Sequence, residues 1–150
     1  MRLRATRLSS IGNGTRPRSR ELIVNGDFSS ATGWAFILAG WSITGGKAVL
    51  SSTSGNNILQ QQFQMPIGAT AVFSFDIDAI SNMGALAYVR IGTLATGVGT
   101  VDLLPAFGAR PLGRNTVTFT NTLGQTAIYL KFATDSAART ATIDNVSIIL

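Results

Sequence analysis

The 150-residue chain has no cysteine and no histidine, which excludes disulfides, thiolate and imidazole metal sites, and Ser-His-Asp or Cys-His catalysis. Its net charge of +5 is unevenly placed: residues 1–20 hold six arginines and no acid, while residues 21–150 hold six basic and seven acidic residues. A nearly neutral body therefore carries a basic arm, an asymmetry that points to an acidic partner for the arm alone.

In the arm, Arg2, Arg4 and Arg7 alternate with Leu3, Ala5 and Leu8, and Ile11 precedes Gly12-Asn13-Gly14 and Arg16-Pro17-Arg18, with Arg20 at its end. Glycine and proline so placed oppose a continuous helix. The segment reads as an extended anchoring arm, disordered alone in water. One reading docks it between subunits of a larger assembly through Leu3, Leu8 and Ile11. A second neutralises nucleic-acid phosphates, although no aromatic residue is present to stack on bases. A third leaves it a solvated tail. No stretch reaches the roughly 18 apolar residues of a membrane span. The arginines have no apolar segment behind them, so no secretory signal is expected.

The body, residues 21–150, reads as a single all-β domain. Its fourteen glycines against one glutamate and two lysines are a poor composition for long helices. Strands are expected near 21–24, 36–43, 47–51, 57–65, 70–79, 85–92, 98–104, 115–120, 126–133 and 140–149. Turn residues separate them, such as Gly45-Gly46, Pro66-Ile67-Gly68 and Asn121 to Gln125. Many short strands spaced this way predict an antiparallel β-sandwich or jelly roll.

Alternation assigns the faces. Phe73, Phe75, Ile77, Ala87, Val89, Ile91, Val117, Phe119, Ile128, Leu130 and Phe132 should point inward. Leu86, Tyr88, Arg90, Tyr129 and Lys131 should point outward. If the strands of 70–79 and 85–92 are neighbours, one face gathers Asp76, Asp78, Tyr88 and Arg90. Leu103 or Leu104, Leu86 and Phe107 are apolar candidates for an outward interface.

Asp76 and Asp78 stand roughly 6.5–7 Å apart on one strand face. Glycosidases use paired carboxylates, but a solvated strand face explains this pair as well. No phosphate-binding glycine loop with lysine occurs, and no nucleophile has a base. The chain reads as non-enzymatic.

The opening Glu21-Leu-Ile-Val-Asn-Gly-Asp-Phe28 with Gly33-Trp34 and Trp41, the run Leu59-Gln60-Gln61-Gln62-Phe63, the Phe-Ser-Phe of 73–75, and the close Ile143-Asp-Asn-Val-Ser-Ile148 form a distinctive set. Together they resemble the β-jelly-roll carbohydrate-binding modules fused to xylanases and cellulases, within the broad galactose-binding-like group. The resemblance spans residues 21–150. It implies that Phe28 and Trp34 anchor the first strand, and that the strand bearing Asp144 pairs near the N-terminal one. Asn25-Gly26 suits a tight turn. The resemblance also implies a structural calcium, for which Asp27 and Asp144 are the candidates. Ser29 stands where those modules commonly carry a further acid.

Sugar binding calls for exposed aromatic platforms flanked by planar polar groups. Trp41, Tyr88 and Tyr129 are the candidate platforms, and Asp76, Arg90, Gln60 and Gln62 the candidate polar partners. For Trp41 the alternative is core packing, and for the tyrosines an ordinary sheet surface. A small jelly roll with its own basic arm also resembles bacteriophage virion accessory proteins. That likeness implies a structural subunit of the virion (capsid decoration, head fibre or tail fibre), homo-oligomeric, bound to other virion proteins through residues 1–20 and touching cell-surface glycans. A soluble carbohydrate-binding module and a nucleic-acid-associated protein are the alternatives. Neither a membrane partner nor a cofactor beyond the candidate calcium is expected.

Overall fold

A computed structural model describes residues 19–52, 55–81, 88–93, 103–104, 110–134 and 138–150. Arg2, Leu3, Arg4, Arg7, Leu8, Ile11, Arg16 and Arg18 of the arm lie outside the described residues, as do Leu86, Ala87, Phe107 and most of the strand expected over 98–104.

Among the described residues nine strands form two antiparallel sheets: β1 (Ala35–Ile37), β2 (Trp41–Thr44), β3 (Lys47–Ser52), β4 (Ile58–Gln64), β5 (Thr70–Ile80), β6 (Tyr88–Gly92), β7 (Gly113–Thr120), β8 (Ala127–Ala133) and β9 (Arg139–Ile149). The four-stranded sheet runs β1-β4-β8-β6 and the five-stranded sheet β2-β3-β9-β5-β7. The all-β sandwich expected from the sequence is the fold observed. From β3 onward, every connection passes from one sheet to the other, as in a jelly roll.

The expected strand 36–43 is two strands, broken at Leu38–Gly40, where the chain leaves one sheet for the other. Leu38 takes a φ of 65° there, a conformation costly for a residue with a side chain. Of the expected strand 21–24 only an isolated bridge forms, between Glu21 and Ile149. It still ties the domain's ends together, since the Leu22 N–H donates to Ile148 O at 2.9 Å and the Leu150 N–H to Arg20 O at 3.0 Å. Arg20 is thus fastened to the body by its main chain.

The core lies between the sheets and is built from alternate residues of each strand. Phe73, Phe75, Ile77, Ile91, Ile128, Leu130, Phe132, Ile143 and Ile148 are buried there. Val89 and Phe119 are buried as expected, and Val117, near the open edge of β7, is only half-buried. Phe132 is the hub, with ring centroids 5.2 Å from Phe75, 6.3 Å from Phe73 and 6.4 Å from Trp34. Truncating a phenylalanine so placed costs about 3–5 kcal/mol. Leu104 joins this core and Leu103 packs against it, so neither is an outward interface residue.

Phe28 and Trp34 anchor the segment before β1, their rings 5.0 Å apart, and the Trp34 indole N–H donates to Asn25 O at 2.9 Å. Gly26 serves a close approach as well as a turn. A Cβ there would fall 1.7 Å from the Val146 carbonyl oxygen. The turn itself is closed by Asn25 at φ 50°, with the Phe28 N–H donating to Asn25 O at 3.1 Å.

Candidate functional site

The outer face of the four-stranded sheet collects most of the candidate sugar-binding residues. One cross-strand row reads Ala35, Gln60, Lys131, Arg90. The next reads Gln62, Tyr129, Gly92, and the row on the other side reads Ile37, Ile58, Ala133, Tyr88. The face arises from the period of two in the triple glutamine. Gln60 and Gln62 point out, while Gln61 points in and closes on the main chain of Val24, accepting its N–H at 2.7 Å and donating to its C=O at 2.8 Å. Tyr88 is placed by its backbone, opposite Ala133; its side chain lies outside what is described.

Tyr129 is half-buried and Gln62, directly across from it on β4, is exposed. The Lys131 ammonium lies 6.0 Å from the centre of the Tyr129 ring, within range of a cation–π attraction. Lys131 and Arg90 are paired across β8 and β6, and each makes a further side-chain interaction. Gln60 and Lys131 are only 7% and 5% exposed although they point away from the core. The Gln60 Oε1 is buried and has no hydrogen-bond partner among the described residues. A desolvated acceptor left unpaired costs about 1–3 kcal/mol.

Two candidates leave this face. Trp41 is buried at 5% exposure, with its indole N–H donating to Asn57 O at 3.3 Å, so it is core and no platform for a sugar. Asp76 lies on β5, in the other sheet. The expected neighbourhood of Asp76 and Asp78 with Tyr88 and Arg90 does not exist, because the chain changes sheet between β5 and β6. Asp76 instead accepts from Arg114 Nη1 at 3.3 Å and Asn145 Nδ2 at 2.9 Å, while Arg114 also reaches Ser74 Oγ at 2.8 Å. Asp78 pairs with Lys47. The pairing raises the Lys47 pKa above its ordinary value, through the hydrogen bond to Asp78 first and the attraction of Asp78 and Asp144 next. Both carboxylates are thus engaged with cations on a solvent-facing sheet.

The calcium candidates are held apart from any larger donor set. Asp27 accepts from the Ser29 N–H at 3.2 Å and Ser29 Oγ at 3.0 Å, and these bonds, the main-chain one first, hold its carboxyl below its ordinary value. Asp144 accepts the Asn145 N–H at 2.7 Å. Among the described residues no cluster of three or more ligating side chains occurs. Calcium takes six to eight oxygens, and the side chains here offer two carboxylates already bonded to the protein, a donor set that fits the ion poorly.

Sequence reasoning missed three buried polar residues. Asn57 accepts the Gly40 N–H at 2.9 Å and donates to Ser52 Oγ, and Asn121 donates to Met65 O at 2.9 Å. Arg110 is buried with its guanidinium 5.4 Å from the centre of the Phe75 ring. Asn121 and Arg110 sit in segments that read only as turns, and Asn57 opens the expected strand 57–65.

No family model matches the chain, and no curated protein matches it. Among solved structures, one described as "CBM4 structure and function" superposes with a TM-score of 0.56 at 16% identity, covering 84% of this chain and 97% of that one. At that identity the likeness concerns the fold: the body has the sandwich of a carbohydrate-binding module.

Proposed function

We propose that this chain is a non-enzymatic display protein whose jelly roll binds an oligosaccharide on the outer face of β4, β8 and β6. The observation that carries the reading is the half-buried Tyr129 ring with the exposed Gln62 directly across from it on an outward sheet face. A pyranose offers an apolar C–H face to an aromatic ring and a rim of hydroxyls to carboxamides. Tyr129 supplies the ring. Gln62 supplies a planar group able to donate and accept at once. The likeness in fold to a carbohydrate-binding module supports the reading.

Residues 1–20 anchor the module to a larger assembly, a bacteriophage virion in which it serves as capsid decoration, head fibre or tail fibre. The arm joins the body at Arg20, whose main chain pairs with that of Leu150.

A glycan array followed by calorimetry on the strongest ligand tests the binding. Tyr129→Ala and Gln62→Ala each weaken it about tenfold, about 1.4 kcal/mol, with the fold intact by circular dichroism. Unchanged affinity in both variants overturns the site. Incubation with purified capsids or virions tests the arm. The cut belongs before Ser19, because Arg20 is bonded to Leu150. A folded 19–150 fragment that no longer joins particles supports anchoring, and equal incorporation overturns it.

A further inference from the structure

We infer that β7 is a self-pairing edge, through which two copies of this chain join their five-stranded sheets into one continuous sheet. Sheet edges are exposed rows of main-chain donors and acceptors that proteins guard by shortness, charge, proline or bulges. The edge strands β1, β2 and β6 have three, four and five residues. β7 has eight, pairs with β5 without a register shift and contains no proline.

Which groups face outward follows from Asn121, whose N–H donates to Ala69 O at 2.9 Å and so points toward the β5 side. Alternation carries that parity back along β7. Gly113, Asn115, Val117 and Phe119 turn their main-chain groups to β5, and Arg114, Thr116, Thr118 and Thr120 turn theirs outward. Nothing among the described residues bonds to these outward groups.

The strand's one charge does not guard it. The Arg114 guanidinium is drawn back across the sheet to Ser74, Asp76 and the Asn145 carbonyl. What remains at the edge is threonine, uncharged and favourable in cross-strand pairs.

The strand is also complementary to itself. An antiparallel pairing about a two-fold axis at Val117 sets Thr116 opposite the partner's Thr118 and Arg114 opposite the partner's Thr120. It forms about eight main-chain hydrogen bonds. It also covers Val117, the half-buried member of the inner face. The axis stands perpendicular to the joined sheet, so both four-stranded sheets lie on the same side. Their outer faces then point one way, an arrangement suited to bivalent contact with a surface. The pairing itself rests on the fold and not on the glycan reading.

Sedimentation of the full chain over a concentration series tests this. The wild type is expected to dimerise. Thr118→Pro removes an outward N–H, a change that edge strands tolerate, and Thr116→Lys/Thr118→Lys adds guarding charge while keeping every main-chain group. Each is expected to weaken dimerisation by about tenfold or more. Val117→Cys, in a chain without cysteine, is expected to cross-link on mild oxidation, because paired positions at such an axis approach to about 4.5 Å. Thr116→Cys is expected not to. A monomeric wild type overturns the proposal, as does a dimer that persists in the folded lysine variant or is lost only when the arm arginines are replaced.

Discussion

Glu21 and Ile148, 127 positions apart in the chain, are joined by a hydrogen bond of 2.9 Å from the Ile148 N–H to the Glu21 carboxylate. The same carboxylate accepts the N–H groups of Leu22 and Ile23 at 2.9 and 2.8 Å and the hydroxyl of Ser147. The chain's one glutamate thereby clasps the segment that leads into the sandwich to the last strand. Its place in the opening signature follows from four donors converging on one carboxylate.

Glu21→Ala strands those donors. The expected loss is about 1–3 kcal/mol, read as a fall of about 3 °C in Tm for each kcal/mol at this chain length. Glu21→Gln keeps acceptor capacity at one oxygen and is expected to lose less. An unchanged Tm in Glu21→Ala would mean that water replaces the clasp at no cost.

Gly26→Ala is expected to prevent folding or to cost more than about 3 kcal/mol. The added Cβ would fall 1.7 Å from Val146 O, and the main chain there is fixed by the Val146 N–H donating to Gly26 O at 2.8 Å. Circular dichroism and chemical unfolding read the effect. Gly124→Ala, where a Cβ meets nothing within 4 Å, is the control and is expected to be near neutral.

The sequence made the sandwich legible because its signal is local. Alternation in 70–80 and 127–133 places Phe73, Phe75, Leu130 and Phe132 inside, and it does so in the structure. Which strands lie side by side is not local. Asp76 was grouped with Tyr88 and Arg90 by nearness in sequence, and the jelly roll's habit of changing sheet at each connection separates them. Trp41 could not be assigned from its type, since an indole suits a core as well as a sugar. Its burial follows from pairing with Leu50 on β3 and from the Asn57 carbonyl that takes its N–H. The roles of Asn57 and Asn121 are invisible for the same reason: partners such as the Gly40 N–H and the Met65 carbonyl are brought near only by the fold.

The Lys47–Asp78 pair on the five-stranded sheet and the hydrogen bonds of Ser29 to Asp27 give stability a shallow pH dependence at the two ends. The Lys47 pKa is raised, so its contribution is complete below 10.5 and lost as pH rises through the raised value. The Asp27 pKa is lowered, so its contribution is present above 3.8 and lost as pH falls through the lowered value. Both groups are exposed and screening keeps each effect small. Lys47→Met is expected to flatten the alkaline limb of Tm against pH and to leave the acid limb unchanged. A change on the acid limb instead would reassign the interaction.

Chelation tests the implied calcium. With Asp27 bonded to Ser29 and Asp144 to Asn145, EDTA is expected to leave Tm unchanged and added calcium not to raise it. A site with a Kd of about 10 µM would add about 2.7 kcal/mol at a hundredfold excess of free ion, a rise easily read in a thermal scan. Such a rise would establish a calcium site that main-chain carbonyls complete.

Gln60 separates the demands of folding from those of binding. Its Oε1 is buried without a partner among the described residues, so the folded protein bears a desolvation cost that an apolar side chain of similar size would avoid. Gln60→Leu is therefore expected to raise Tm or leave it unchanged, and to leave oligosaccharide binding unchanged, because the buried oxygen offers nothing to a ligand on the surface. A buried glutamine kept for structure would behave in the opposite way, with Gln60→Leu losing stability. Thermal scans and calorimetry on the same preparation distinguish the two. Affinity lost while stability is kept would mean instead that the face opens on binding and uncovers Gln60 for the ligand.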